Sequence, residues 1–333
     1  MRYCFLFLCF IGYAQQGHVH SIAFYNTENF FDAKDNPNTF DDDYTPEGRM
    51  QWTEALVQQK SEQLAKVISQ IGKATTQRAP LLIGLAEIEN YKLLKRLTSN
   101  RLLHPYNYGI IHVESPDYRG IDVALLYQSE FFRPTAQKIY RLVLTDPDHG
   151  YKRTTRDLLV VSGYLNHQLI SVLINHWPSR RGGKQKSAQH RFKAAQLHKR
   201  ITDSLFRKNK DAFIISLGDY NDNPNDKSLQ WIEGEKNNRL INPMKEMAKK
   251  GEGSLAHNDR WYLFDQLLFS PVWKQKKSVQ LLQIAIFHPA YLYTKRGRYQ
   301  GYPFRTKVNG DHLEGYSDHF PVYAIIGLVT PTP

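Results

Sequence analysis

Short apolar runs and one-sided apolar stripes alternate along this chain, and most of the runs stop on a polar residue of particular chemistry. Residues 21–25 (SIAFY), 81–86 (LLIGLA), 121–127 (IDVALLY), 213–217 (FIISL), 264–269 and 322–328 have the length and content of buried strands. Residues 158–165 and 168–175 read as two strands of a hairpin turned at Asn166-His167. Two stretches have helical spacing instead. Over 51–71, Val57, Leu64, Val67, Ile68 and Ile71 share a face, and Gly72 supplies the stop. Over 187–207, Ala194, Leu197, Ile201 and Leu205 face inward. Hairpin-linked strands mixed with amphipathic helices predict a layered α/β domain.

The polar residues behind these runs are Asn26, Glu87, His176, Asp219 with Asn221, and Asp318 with His319. Strand ends are rigid, and loops at one sheet edge can converge, so the set reads as one distributed site. Glu87 follows six apolar or small residues; a carboxylate there needs a partner, either a salt bridge or a metal. In Gly218-Asp219-Tyr220-Asn221, the Asp and Asn are two apart and share one side of an extended segment. Their hard oxygens suit Mg²⁺ or Ca²⁺, while the same residues also favour an ordinary turn. Gly218 would allow a close approach to a ligand. Asp265 interrupts an apolar run and is a candidate to orient His319, fixing its tautomer and raising its basicity. Adjacent residues on a strand point opposite ways, so Asp318 and His319 need not touch. His176 heads the loop Trp177-Pro178-Ser179-Arg180-Arg181-Gly182-Gly183, where Arg180 and Arg181 suit phosphate recognition. From Trp177 to Lys210 there are eleven Lys/Arg and one acidic residue, Asp203, so the following helix has a basic face.

Composition adds compartment and partner. The chain has 333 residues, and nothing in it marks a linker or a repeat, so one domain is the simpler reading. A net charge of +12 favours a polyanionic partner without choosing among nucleic acid, anionic lipid and phosphorylated metabolites. Arg2, the apolar run 3–13 and the small residues Gly12 and Ala14 read as a secretory signal over 1–14, leaving a domain over 15–333. This run is shorter than the ~20 apolar residues of a membrane span. Cys4 and Cys9, the two cysteines, lie inside it, so the secreted or periplasmic chain would carry no thiol chemistry. His18 and His20 lie just beyond and read as a metal-binding pair or an unstructured end.

Taken in order from Ser21 to Leu328, these motifs resemble the endonuclease/exonuclease/phosphatase superfamily, which includes deoxyribonucleases, AP endonucleases, sphingomyelinases and inositol polyphosphate phosphatases. The resemblance implies a four-layered α/β sandwich, with two mixed β-sheets flanked by helices and the site at one edge. It implies that Glu87 is the main metal carboxylate, with Asn26 and Asp318 near the metal, which would be Mg²⁺, with Mn²⁺ or Ca²⁺ as alternatives. His319, oriented by Asp265, would be the acid/base; some proposals for the family give the proton from water to Asp219. His176 and Asn221 would donate to the transition state, and Arg156 resembles a phosphate-binding arginine of the deoxyribonuclease branch. His176 stands where the AP-endonuclease branch has tyrosine. The expected activity is in-line hydrolysis of nucleic-acid phosphodiesters. Alternatives are an inositol phosphatase, a sphingomyelinase-type phosphodiesterase, for which Phe131-Phe132 and Trp273 are the candidate membrane contacts, and a non-catalytic phosphate-binding module. Residues 295–305 (KRGRYQGYPFR) mix cations with aromatics, which suits phosphate backbone and base stacking. Nothing points to an obligate protein partner.

Overall fold

The computed structural model describes residues 17–145, 150–234, 239–275, 278–308 and 311–329. The proposed signal over 1–14, with both cysteines, lies outside the described residues. Two mixed sheets face each other. The larger is built from β1 (Gly17–Phe30), β2 (Leu82–Ile88), β3 (Tyr108–His112), β4 (Asp122–Gln128), β10 (Val279–Ile286) and β11 (Val322–Val329), in the order β10-β11-β1-β2-β4-β3. The smaller holds β5 (Phe132–Tyr140), β6 (Leu158–Leu165), β7 (Gln168–His176), β8 (Phe213–Asp219) and β9 (Asp265–Phe269), in the order β9-β8-β7-β6-β5.

Each sheet holds one parallel pair, β1 with β2 and β7 with β8, and the other neighbours run antiparallel. Side chains alternate between faces along a strand, and both faces of the smaller sheet are covered. Leu159 and Val161 of β6 join Phe24 of β1 in the core between the sheets. Leu158 and Val160 point the other way, into a second core with Ala194, Leu197 and Ile201 of the helix Lys184–Lys208. The helix Glu54–Ile68 covers the larger sheet through Val57, Leu64 and Ile68. This is the four-layered α/β sandwich expected. Gly84 lets the two sheets approach closely: a Cβ there would lie 2.1 Å from Leu217 Cδ1.

The local departures from the sequence reading have physical causes. β1 begins four residues before the predicted start, and His18 and His20 pair with Leu328 and Ile326 of β11, so they are not an unstructured end. The helix predicted over 51–71 starts at Glu54, where the Thr53 side chain caps the Leu56 amide, and its regular part stops at Ile68. The hairpin forms as read, with Asn166 and His167 at positive φ (45° and 63°), the backbone a tight two-residue turn requires. Phe132 and Trp273, candidates for membrane contact, are buried.

Candidate active site

The two parallel pairs end side by side, and that edge gathers the chemistry. Asn26 and Glu87 stand where the ladders of β1 and β2 break register near their ends; His176 and Asp219 are register partners at the ends of β7 and β8. Asn26 Nδ2 donates to Asp219 Oδ2 at 3.1 Å and stands 3.5 Å from Glu87 Oε1, bridging the sheets. Two irregularities aim these groups. The β1–β2 register shifts between Asn26 and Phe30, and the β2–β4 register shifts between Ala86 and Ile88. Glu87 is thus the extra residue of a bulge, which turns its side chain out of the ladder. Glu28, Asn29 and Glu87 all have positive φ (53°, 53° and 64°). For a glutamate that conformation costs on the order of 1 kcal/mol, and such strain collects at functional sites. Asn29 N–H returns a hydrogen bond to Glu87 Oε2 at 2.9 Å, which fixes the carboxylate.

Asp265 opens β9 opposite Asp219 and is fully buried. Its Oδ2 lies 2.6 Å from His319 Nδ1 and accepts from Ser254 Oγ at 2.5 Å, while its buried Oδ1 has no hydrogen-bond partner among the described residues. Asp318 and His319 sit in the bent segment before β11 rather than in the strand, so they escape the alternation rule. Both reach the site, with His319 Nε2 3.9 Å from Asp318 Oδ1. Ser317 Oγ donates to the Asn26 carbonyl at 2.7 Å and accepts from His319 N–H at 3.1 Å, tying this segment to β1.

Electrostatics divides the two histidines. Burial opposes charge on His319, but the Asp265 carboxylate and its hydrogen bond, with Asp318 and Asp219, outweigh it and hold the imidazole well above its usual range. Burial and the charges of Arg156, Arg119 and His319 hold His176 well below that range. Its Nε2 stands 3.7 Å from Asp219 Oδ2 and 3.8 Å from Glu87 Oε1. Burial, then the neighbouring Asp265 charge, lifts Asp219 to about 7. Titratable groups pushed apart in this way mark the acid and base of a site.

Other predicted residues are placed differently from what the sequence suggested. Arg156 is buried, with Nη1 3.2 Å from Asp117 Oδ2 and Nη2 donating to the Trp177 carbonyl at 2.8 Å. Asn221 Nδ2 donates to the same carbonyl at 3.0 Å. Both therefore brace the residue after His176. Arg180 is taken up by Asp222 and Asp226 at 3.0 and 2.7 Å, and Arg181 donates to Tyr118 Oη at 2.9 Å. Gly218 allows close strand packing, since a Cβ would lie 2.4 Å from the Asn175 carbonyl oxygen.

Sequence reasoning passed over Glu28 and Lys60. Glu28 Oε2 accepts from Thr306 N–H at 2.7 Å and lies 3.9 Å from Lys60 Nζ. Lys60 donates to Thr306 Oγ1 and, at 2.7 Å, to the Tyr316 carbonyl, holding the segment that delivers Asp318. Burial, then Asp318, lifts Glu28 to about 7, and burial lowers Lys60 to about 8. The signal was available: Lys60 sits on the apolar stripe of its helix between Val57 and Leu64.

The donor set fits a divalent cation. Ligand atoms of Asp219, Asp265 and His319 lie within 4.8 Å of one another, and the site concentrates buried carboxylates whose mutual repulsion a cation would relieve. Asp265 and His319 already bond to each other, whereas the oxygens of Glu87 and Asp219, grouped around Asn26, accept only neutral N–H donors and keep lone pairs for a cation. Carboxylate and amide oxygens suit hard cations.

The chain belongs to the endonuclease/exonuclease/phosphatase family, whose profile matches residues 21–327. Members are metal-dependent hydrolases of phosphate esters, and this chain is an enzyme of that kind. Solved structures with the same fold include TDP2 of D. rerio complexed with a single-strand DNA product (14% identity, 92% of this chain and 98% of that one, TM-score 0.56). Another is an endonuclease/exonuclease/phosphatase family protein from Bacteroides thetaiotaomicron (15% identity, 94% and 99%, TM-score 0.54). A third, from Bacteroides vulgatus, is 13% identical over 93% and 99%, with a TM-score of 0.56. No curated protein sequence matches the chain.

Proposed function

We propose that this protein is a secreted, Mg²⁺-dependent nuclease that cleaves phosphodiester bonds by in-line attack of water, with residues 1–14 removed on export. The observation that carries the activity is the buried Asp265–His319 pair set against Asp219 and Glu87 at one sheet edge. Glu87, with Asn26 and Asp318 close by, would hold the cation, which supplies charge stabilisation to the phosphoryl oxygens. Asp219, poised near 7, takes the proton from the attacking water. His319 is held as an imidazolium by Asp265 and donates to the developing oxyanion. This differs from the base role the resemblance implies for His319, and its raised proton affinity is the reason. Neutral His176 donates one N–H to the same charge, and Arg156 and Asn221 position it through Trp177.

A nucleic-acid substrate is supported by the rim. Trp261 is partly exposed and stacks on Phe320, next to His319, at 5.8 Å and 19°. Tyr302 lies 6.3 Å from Trp261, and Arg305 pairs with Asp318 at 3.3 Å, so the loop 295–305 borders the site. Aromatic faces beside cations suit bases and backbone together. The same fold holds a single-strand DNA product in TDP2 of D. rerio. Export, supported by the charged-then-apolar segment 2–14, sets the reaction outside the cytoplasm.

The test is a panel of single-stranded DNA, supercoiled DNA, single-stranded RNA, sphingomyelin and a soluble inositol phosphate, each with Mg²⁺ and with EDTA. The reading expects metal-dependent cleavage of a nucleic acid at the highest kcat/KM. Preference for the lipid or the inositol phosphate would keep the chemistry and overturn the substrate.

A further inference from the structure

On the outer side of the smaller sheet, a cavity of about 650 Å³ opens between the helix Lys184–Lys208 and residues 141–143. Its walls carry Arg141, Lys193, Lys199 and Arg200 against one acid, Asp203, and Trp231 stands at its rim, about half exposed. Lys199 is held by Asp203 at 3.0 Å, and Arg141 reaches Asp157 at 3.4 Å. Among the described residues, Lys193 and Arg200 have no carboxylate partner, and both side chains face solvent. Trp231 leans on Phe192, ring centres 5.3 Å apart, which keeps one edge of the groove aromatic. The groove's floor, Leu142 and Leu197, belongs to the same core as Trp177, the residue after His176. The helix leads away from the catalytic edge, because its first residue follows the His176 loop by way of Gly183. At 1.5 Å per residue, Lys193 and Arg200 lie about 14 and 24 Å along it.

We propose that this groove is a second binding site, which takes the backbone of a single-stranded nucleic acid several nucleotides from the bond being cut, with Trp231 as a stacking platform. The proposal rests on the nuclease reading above. Charge complementarity selects the occupant: unpaired cations spaced along a helix match a repeating phosphate, and an exposed indole matches a base. The groove's role is to hold long substrates, so it acts on affinity and salt dependence rather than on the chemical step.

The experiment compares the wild type with Lys193→Gln/Arg200→Gln and with Trp231→Ala. Binding of a fluorescent single-stranded 30-mer is read by anisotropy in EDTA from 50 to 300 mM salt. Cleavage of the 30-mer and of bis(p-nitrophenyl) phosphate is read in Mg²⁺. Each phosphate contact on a single strand contributes a log–log salt slope of about 0.7, so losing two lowers the slope by about 1.4 and weakens binding about 25-fold at 0.1 M salt relative to 1 M. Loss of the stacking platform weakens binding at least about fivefold. The ratio of kcat/KM on the 30-mer to that on the small ester should fall in both variants. Unchanged slope and affinity in the double variant, with intact folding by circular dichroism, would overturn the groove. A wild type that binds the 30-mer through the groove yet cleaves no nucleic acid would retain the groove and overturn the nuclease reading. Binding of the same proteins to phosphatidylserine vesicles is read by sedimentation, and a loss confined to the vesicles would overturn the assignment in favour of a lipid surface.

Discussion

The Asp265→Asn variant isolates the electrostatic part of the site from its geometry. The carboxamide has nearly the carboxylate's shape and can still accept from His319 Nδ1 and Ser254 Oγ, which now lie 2.6 and 2.5 Å from Oδ2. What it loses is charge. With that charge gone, burial dominates at His319, and only Asp318 and Asp219 remain to raise its proton affinity. The imidazole therefore gives up its proton at lower pH, which weakens it as a charged donor. Acid–base catalysis of this kind is worth about 10²–10⁴-fold, and kcat should fall by that range with KM little changed. The assay is the pH profile of kcat/KM in saturating Mg²⁺ on a single-stranded oligonucleotide. The wild type should show an alkaline limb that reports loss of the His319 proton, and the variant's limb should lie at lower pH. A loss of less than tenfold, with the alkaline limb unmoved, would falsify the assignment of His319 as an Asp265-supported imidazolium.

Three further outcomes follow from the same geometry. Glu87→Gln should weaken Mg²⁺ binding at least about tenfold by titration calorimetry, because a charged donor of the set is lost; unchanged affinity would remove Glu87 from the metal. Lys60→Met leaves Glu28 and Asp318 facing each other without their buried cation, and should cost about 3–5 kcal/mol in urea unfolding; adding Glu28→Gln should recover part of that, and no recovery would sink the pairing. His198 is buried against Ser216 and held at about 3 by burial, then Lys199. Its native proton affinity is depressed, so below about 6.5 the unfolded chain binds a proton that the native state refuses, and stability is lost as pH falls. Between pH 6.5 and 4.5 the wild type should lose roughly 2.5 kcal/mol more than His198→Gln; parallel curves would contradict this.

Much of the site could be read from the chain because the chemistry sits where apolar runs stop. Asn26, Glu87, His176 and Asp219 each follow such a run, and two parallel strand pairs bring the four ends together. Asp265 was legible for a related reason, as a carboxylate inside an apolar run that proves to open a buried strand. What was not legible depends on three-dimensional pairing. Arg180 looked free in sequence, yet Asp222 and Asp226 fold back onto it. Edge strands were also missed. Phe132–Tyr140 contains Pro134 and is mostly exposed, so it lacks alternation, and a register shift falls just there. Val279–Ile286 shows Leu282 to solvent beside a bulge, which breaks the period of two. A strand buried along its whole length advertises itself, as even the edge strand Asp265–Phe269 does; a largely exposed edge strand does not.

The central claim is that this edge hydrolyses nucleic-acid phosphodiesters using His319 and a divalent cation. The most direct test is turnover of a single-stranded 30-mer by the purified chain from Gln15, with Mg²⁺ and with EDTA, beside His319→Ala. Cleavage that needs Mg²⁺ and falls by at least about 10²-fold in the variant is the predicted result. Cleavage that persists in EDTA, or that survives in the His319→Ala protein at wild-type rate, would contradict it.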